Sequence, residues 1–189
     1  MTSKKGDNTA PDLSIKDLPS EKERSIVEPV LEKSFEGWYL WHSKRTLKDI
    51  ETVKAALIGD EPVGVSMLKM LNSNLGYVYY IAVSPEWRGK GIAGELLDTS
   101  DEFFFNKGAN EVLAGISEDN EESKRLFSSR SYKEISFAEL SKRFGRLHAI
   151  NLYRKMVIVS GEVVYTKELT KGLAGSILTE EVEREKTNS

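Results

Sequence analysis

The sequence predicts an α+β domain built around a mixed β-sheet, and three observations favour that class. Two segments near the N-terminus carry apolar residues at helical spacing. The periodicity then changes to that of antiparallel strands, and the chain continues as strand, helix, strand, helix and strand. Its 189 residues, 39% of them hydrophobic, suit one domain with a core of its own. Helices followed by strands in this order are typical of an α+β fold.

The N-terminal half is predicted to hold one short strand, two helices and three sheet strands. Residues 1–11 are small and polar and are expected to form a disordered tail. Ser20 and Glu23 have the spacing of a capping box, which opens the first helix. The predicted elements are strand 13–18, helix 20–35, helix 38–53, hairpin strands 55–58 and 63–68, and strand 76–83.

The C-terminal half is predicted to continue the sheet and to end in a hairpin. Its elements are helix 92–108, strand 112–116, helix 120–130, strand 132–137, a loop or short helix over 138–147, and strands 147–159 and 162–165. The hairpin carries two apolar runs, at Val157, Ile158 and Val159 and at Val163 and Val164. Such an edge either pairs in a homodimer or is buried within the monomer. Residues 169–189 are predicted to be a partly disordered extension.

Composition excludes several classes of function. A formal net charge of −3 argues against general nucleic-acid binding, which needs a basic field. With no cysteine and only two histidines, the chain offers no disulfide framework and no metal site of the usual kind. The N-terminal residues lack an apolar signal region, and no apolar run has the length of a membrane span. We therefore expect a cytoplasmic protein that binds neither metal nor membrane.

A glycine-rich segment between strand 76–83 and the next helix predicts an anion site. We call Arg88, Gly89, Lys90, Gly91, Ile92 and Ala93 the phosphate loop. Small residues let the main chain approach an anion closely, and the amides at a helix N-terminus point toward it. Arg88 and Lys90 add positive charge. The pattern therefore favours a cofactor that carries a diphosphate. The alternative is a turn at a helix start that has the same sequence pattern and binds no ligand.

The same letters also fit the dinucleotide-binding fingerprint, with Glu118 near the place of a ribose-binding acid. In that fold the first glycine directly follows its strand, whereas residues 84–88 intervene here. Two helices and a hairpin also precede the loop, and too little chain follows for a second half. A small nucleotide-binding oxidoreductase is therefore an alternative that the element order disfavours.

Two motifs at the right separation resemble the GNAT superfamily of acyl-CoA N-acyltransferases. Val83-Ser84-Pro85 followed by the phosphate loop is similar to the family's V-x-P and [RQ]-x-x-G-x-[GA] signature. Downstream, the segment from Asn120 to Phe127 resembles N-x-x-[AS]-x-x-[LF]-[YF]. The resemblance implies an α/β/α layered GNAT domain over residues 12–168. Its twisted sheet would be mostly antiparallel, with the strands that hold Ile81 and Ile116 splayed apart.

The resemblance also implies where acetyl-CoA binds. Main-chain groups of Ile81, Ala82 and Val83 would contact the pantetheine arm, and the amides of the phosphate loop would hold the diphosphate. Asn120 and Phe127 would lie beside the thioester. A main-chain N–H in the splayed gap would polarise the thioester carbonyl, a role that needs no side chain.

The implied activity is transfer of an acetyl group to a primary amine, either a peptide or protein N-terminus or a small amine. Two usual catalysts of the family are absent, because Phe127 stands where many relatives have a proton-donating Tyr and Gly115 where some have a Glu base. Tyr77 on the central strand and Glu118 at the mouth of the next strand are the catalytic candidates that remain. For both, strand packing or helix capping is the structural alternative.

Two other accounts of the missing catalysts stay open. An α-amine has a pKa near ~8, so roughly a tenth is already neutral at pH 7 and orientation could suffice. Alternatively the domain only binds an acyl-CoA without turning it over.

The resemblance places the acceptor near the first helices and near the loop before the last strands. The first region carries four aromatic residues, Trp38, Tyr39, Trp41 and His42, which either wall a substrate pocket or pack the helix on the sheet. The second carries Lys142, Arg143 and Arg146, which either attract an acidic group or are ordinary surface charges.

Overall fold

The computed structural model describes residues 12–169, which form seven strands and seven α-helices. The predicted tail 1–11 and, except for Leu169, the predicted extension lie outside these residues. Two 3-10 turns, Ser25–Val27 and Pro85–Trp87, connect elements. In chain order the elements are β1 Leu13–Asp17, α1 Glu21–Arg24, α2 Glu28–Ser34, α3 Gly37–Asp49, β2 Thr52–Ile58, β3 Glu61–Asn72, β4 Leu75–Val83, α4 Ile92–Asn106, β5 Glu111–Ser117, α5 Glu121–Ser129, β6 Lys133–Ile135, α6 Phe137–Phe144, α7 Arg146–Met156 and β7 Glu162–Glu168.

The seven strands form one sheet in the order β1-β2-β3-β4-β5-β7-β6. β4 and β5 run parallel, whereas β7 pairs antiparallel with both β5 and β6, and β1 with β2. The predicted α+β class with a mixed sheet is therefore confirmed. The parallel pairing joins residues 75–78 to residues 111–114, while β4 continues to Val83 and β5 to Ser117.

The chain divides into two compact units, and strands β3 and β4 pass from one to the other. The first unit contains the described residues 12–67 and 80–96. Its capping box at Ser20 and Glu23 starts α1 as predicted. The buried Arg24 then donates to the carbonyls of Leu18 at 3.1 Å and Ile50 at 2.9 Å, among others. A buried guanidinium needs such acceptors, so Arg24 joins α1 to the end of α3.

The second unit contains residues 68–79 and the described part of 97–189. Its core packs α6 and α7 on strand residues that include Tyr77, Leu113 and Val164. The same unit holds a buried network, where Tyr132 and Lys167 each donate to Asp101 at 2.6 Å. Burial raises the pKa of the Asp101 carboxyl, and the two donors oppose that rise.

The predicted strand 147–159 is wrong, because residues 146–156 form the helix α7. Its buried residues Ala149, Leu152 and Met156 have helical spacing. The β-branched run at residues 157–159 follows the helix, which ends where Val157 adopts a left-handed φ of 58°. The loop or short helix expected over 138–147 is the helix α6, which ends at Gly145.

The predicted terminal hairpin is therefore also wrong, and so is the sheet edge that it implied. β7 lies inside the sheet between β5 and β6, so Val163 faces Ile116 and Val164 faces Ile135 in the register. Val164 is buried within the chain. The homodimer stays a prediction, but this strand no longer provides a surface for it.

Candidate active site

The phosphate loop connects β4 to α4 within the first unit, where sequence predicted it. After the 3-10 turn Pro85–Trp87, Gly89 has φ +73° and Gly91 has φ +83°. These angles lie in the region that side chains rarely adopt. A β-carbon on either glycine would meet no atom of the described residues within 4 Å. Backbone conformation, rather than tight packing, therefore calls for glycine at both positions.

Local contacts hold the phosphate loop in place. Arg88 Nε donates to the carbonyl of Val83 at 3.2 Å, and the ammonium of Lys90 lies 4.1 Å from the centre of the Trp87 ring. The carbonyl of Gly91 accepts from the amides of Gly94 and Glu95 and so starts α4. The first amides of an α-helix have no acceptor within the helix. The loop thus presents main-chain donors and two exposed cations, a combination that suits an anion.

The structure brings the predicted pantetheine strand and the phosphate loop together. Val83 and Ile92 are buried in one cluster, and Ile81, Trp87 and Ala93 pack against it. Ala82 is also buried. The apolar side of this strand–turn–helix unit is therefore anchored in the first unit, while residues 88–91 stay exposed.

Asn120 and Phe127 lie in the second unit, at the start and near the end of α5. The Asn120 side-chain oxygen accepts from the amide of Ser123 at 3.0 Å and caps the helix. Phe127 is buried, and its ring lies edge-on to that of Tyr132 at 5.0 Å. Both side chains thus have structural roles, and their place beside a thioester stays a prediction.

Tyr77 is buried in the second unit, and its hydroxyl donates to the main-chain carbonyl of Met156 at 3.2 Å. Tyr79, two residues on, donates to the carbonyl of Lys155, and burial raises the pKa of its hydroxyl. Both hydroxyls therefore bind the end of α7. The catalytic role predicted for Tyr77 is not tested by these contacts and stays a prediction.

Gly115 lies among side chains that sequence reasoning did not connect with it. A β-carbon there would lie 2.6 Å from Ile158 Cδ1, 3.0 Å from Tyr77 Oη and 3.6 Å from Glu162 Oε2. The Glu162 carboxylate also accepts from the amide of Val159 at 3.1 Å. A carboxylate and a phenol thus border the position where the side chain is missing. No sequence signal indicated Glu162, because it lies 47 residues further along the chain.

Glu118 is exposed in the connection between β5 and α5. Its amide donates to the carbonyl of Gly161 at 2.8 Å, and its own carbonyl accepts from the ammonium of Lys124. These main-chain contacts fix the position of the residue and leave its carboxylate at the surface. The catalytic role of Glu118 stays a prediction.

The two tryptophans of α3 are exposed, whereas Tyr39 and His42 are partly buried. Trp38 is 44% exposed and Trp41 is 59% exposed, which disfavours the alternative that they only fill the core. Trp38 stacks on His42 with ring centres 4.7 Å apart and planes 15° from parallel. His42 Nδ1 lies 2.7 Å from Tyr80 Oη on β4. Sequence reasoning singled out His42 but missed Tyr80, since only the fold brings the two together.

Of the three basic residues before the last strand, Arg143 has a structural partner. Its guanidinium donates to both carboxylate oxygens of Glu111, at 3.0 and 3.2 Å. Glu111 is buried, so this ion pair satisfies a carboxylate that would otherwise be costly to bury. Lys142 and Arg146 are exposed. A role in attracting an acidic group stays a prediction for those two.

Residues 12–169 lack two features that would point to other kinds of function. No helix there combines the length and apolarity that crossing a bilayer requires. No group of three or more His, Cys, Asp or Glu side chains in this part of the chain could hold a metal ion.

Comparison with known proteins gives one family match and many structural neighbours. The model of the acetyltransferase (GNAT) family matches residues 14–132. An IAA acetyltransferase from Bacillus cereus is 19% identical, with a TM-score of 0.63 over 84% of this chain and 100% of its own. The ribosomal-protein-S18-alanine N-acetyltransferase from Escherichia coli is 9% identical, with a TM-score of 0.63 over 85% of this chain and 96% of its own. A GNAT family acetyltransferase from Elizabethkingia anophelis with acetyl-CoA bound is 15% identical, with a TM-score of 0.58 over 85% of this chain and all of its own.

Proposed function

This chain belongs to the acetyltransferase (GNAT) family, and we propose that it transfers an acetyl group from acetyl-CoA to a primary amine. The acceptor is a protein or peptide N-terminus or a small amine. It attacks the thioester directly, so no acetyl group is held on the protein. Two structural neighbours are named for different acceptors, so the choice of acceptor in this proposal rests on the chain's own chemistry.

The observation that carries the proposal is the phosphate loop. Gly89 and Gly91 have positive φ angles, and open space lies beside both. Turns of this kind can direct successive amides toward one anion. In our proposal these amides hold the diphosphate, with Arg88 and Lys90 supplying charge. The main chain of residues 81–83 then takes the pantetheine arm, and Asn120 and Phe127 lie near the acyl end.

The reaction needs a neutral amine, a polarised carbonyl and a proton for the departing thiolate. We propose Tyr77 as a proton donor to the thiolate and Glu118 as a base that acts through a water molecule. For Tyr77 this requires its hydroxyl to exchange the Met156 carbonyl for the sulfur. An α-amine, with a pKa near ~8, needs less help than a lysine side chain near ~10.4, which favours an N-terminal acceptor.

One observation favours a second candidate function, a module that binds acyl-CoA without turnover. Phe127 is a buried phenyl ring at the position where many relatives have a proton-donating Tyr, and it cannot donate a proton. Gly115 likewise offers no side chain. If no other residue acts as the acid or the base, the domain can bind acyl-CoA but cannot transfer its acyl group.

The test follows thiol release from acetyl-CoA in the presence of peptides with different first residues, polyamines and small aromatic amines. Binding of CoA is measured in parallel by calorimetry. Saturable binding together with amine-dependent thiol release is the expected result. Saturable binding without release over the whole panel would select the non-catalytic module, and no binding at millimolar CoA would reject both.

A further inference from the structure

His42 on α3 and Tyr80 on β4 form a hydrogen-bonded pair within the first unit. His42 Nδ1 and Tyr80 Oη are 2.7 Å apart, and both side chains are partly exposed. Tyr80 directly precedes the strand residues 81–83, which the proposed function assigns to the pantetheine arm. The pair therefore joins the aromatic surface of α3 to the strand on which acetyl-CoA is proposed to lie.

Packing fixes the orientation of both rings. Trp38 stacks on the imidazole, and Phe35 lies edge-on to the Tyr80 ring at 5.3 Å and 61°. Thr46 Oγ1 also lies 3.4 Å from His42 Nδ1. These neighbours fix the orientation in which His42 Nδ1 faces the Tyr80 hydroxyl. Such fixed geometry is what proton transfer between two side chains requires.

Tyr80 differs from the other two tyrosines of its strand in what its hydroxyl meets. Tyr77 and Tyr79 donate to main-chain carbonyls of α7, and a carbonyl cannot take up a proton at neutral pH. Tyr80 meets an imidazole, the side chain that most often acts as a general acid or base in enzymes. The Tyr80 hydroxyl thus lies beside a side chain that can take up a proton.

We propose that Tyr80 and His42 form a proton relay that serves as the base for the acceptor amine in place of Glu118, an inference that rests on the proposed acetyl transfer. As the amine nitrogen bonds to the acetyl carbon, its proton passes to Tyr80 Oη while the phenol proton passes to His42 Nδ1. The carbon–sulfur bond then breaks, and the CoA thiolate takes a proton from Tyr77, the donor proposed above, which regains one from water. The imidazolium returns its proton to water, so one amine and one acetyl-CoA give one amide and one CoA thiol.

The relay makes the two residues act as one unit, and this can be measured. Tyr80→Phe keeps the ring and its contact with Phe35, and His42→Asn keeps a polar partner that cannot take up a proton. Each change is expected to lower kcat about 10²-fold with the best amine of the panel. The double variant should be no slower than the slower single variant, because removing one half of a relay already stops it. The KM for acetyl-CoA and the melting temperature should stay unchanged.

Tyr153→Phe is the matched control, because it removes the same hydroxyl from a partly buried tyrosine of α7. It should keep the kcat of the unaltered protein. Wild-type rates in Tyr80→Phe, or losses that multiply in the double variant, would overturn the relay and leave the proposed transferase standing. If the unaltered protein binds CoA but acetylates no amine, the proposed transferase and the relay fall together.

A series of acceptors sharpens the test. An amine of high pKa is mostly protonated at neutral pH, so it must lose one proton before it attacks and a second as it attacks, and we assign both in turn to the relay. The rate ratio between the unaltered protein and Tyr80→Phe should therefore grow with the acceptor's pKa. A ratio that is the same for all acceptors would contradict a role in proton transfer, because loss of a purely structural contact would affect all of them alike.

Discussion

Glycine serves opposite purposes in the two units of this protein. In the phosphate loop, Gly89 and Gly91 have positive φ angles, and the space beside them is open. On β5, Gly115 has neighbours so close that a single added carbon would lie 2.6 Å from Ile158 and 3.0 Å from Tyr77. The first pair is required by backbone conformation, and the second position by packing.

The difference shows which part of a site a sequence reveals. Residues 88–93 act through their own main chain, so their function depends on a local pattern that can be read directly. The surroundings of Gly115 come from β4, from the segment after α7 and from β7. The sequence shows that Gly115 has no side chain, but it does not show which residues occupy the space beside it.

The largest expected effect is on CoA binding when a β-branched residue enters the phosphate loop. Gly91→Val forces φ away from +83° and turns the neighbouring amides, with a strain of about 1–3 kcal/mol. We expect a loss of CoA affinity of about 10- to 100-fold by calorimetry. Gly145→Val is the matched control, since Gly145 has φ +85° and equally open space but lies between α6 and α7. Equal losses of CoA affinity in both variants would show that the phosphate loop is not the binding site for the diphosphate.

The next effect is on stability, where Gly115 is expected to respond through close packing rather than through backbone strain. Gly115→Ala places a carbon in contact with Ile158 and Tyr77, and overpacking of this kind costs about 1–3 kcal/mol of unfolding free energy. Denaturation with urea measures that loss. Adding Ile158→Val shortens the side chain that is met first and should restore part of it. If the two substitutions cost the sum of their separate effects, the contact with Ile158 is not the cause.

The smallest effect is expected on the pH dependence of stability, at a feature that the two units share. Each has an exposed capping box, Ser20 with Glu23 and Ser136 with Glu139. In both, hydrogen bonds from the serine lower the pKa of the glutamate below its ordinary value. A lowered folded-state pKa gives stability that is present above the unfolded pKa and lost as the pH falls through the lowered value.

Glu23→Gln and Glu139→Gln should therefore flatten the acid side of the stability curve slightly, and by similar amounts. Thermal melts between pH 3 and pH 7 measure this, taking about 4.3 as the unfolded glutamate pKa. A large effect in only one variant would mean that the two helix starts differ in ways that the shared geometry does not explain.

Much of the fold could be predicted because its patterns are local. The capping box at Ser20 and the β-rich run that forms β4 both lie within a few residues of the structure they specify. The strand expected over 147–159 failed because its last three residues are β-branched, while the burial of Leu152 and Met156 follows helical spacing. Tertiary packing decided between the two patterns.

In the candidate site, too, the residues with a local sequence pattern could be predicted and the others could not. The phosphate loop lies where its spacing predicted, between the end of β4 and the start of α4. Tyr80 and Glu162 could not be predicted as site residues, because each is singled out only by a contact with a residue distant in sequence. Tyr80 contacts His42, and Glu162 lies beside the position of Gly115. A single sequence holds no information on such pairs until the chain is folded.

The central claim is that the main-chain amides of the phosphate loop hold the diphosphate of CoA. Titration of ¹⁵N-labelled protein with CoA, followed through the amide signals, tests it directly. The account predicts that the largest shifts fall on Gly89, Lys90, Gly91, Ile92 and Ala93, while Gly145 stays unmoved. Saturable binding that leaves these five amides unshifted, with the main changes elsewhere, would contradict it.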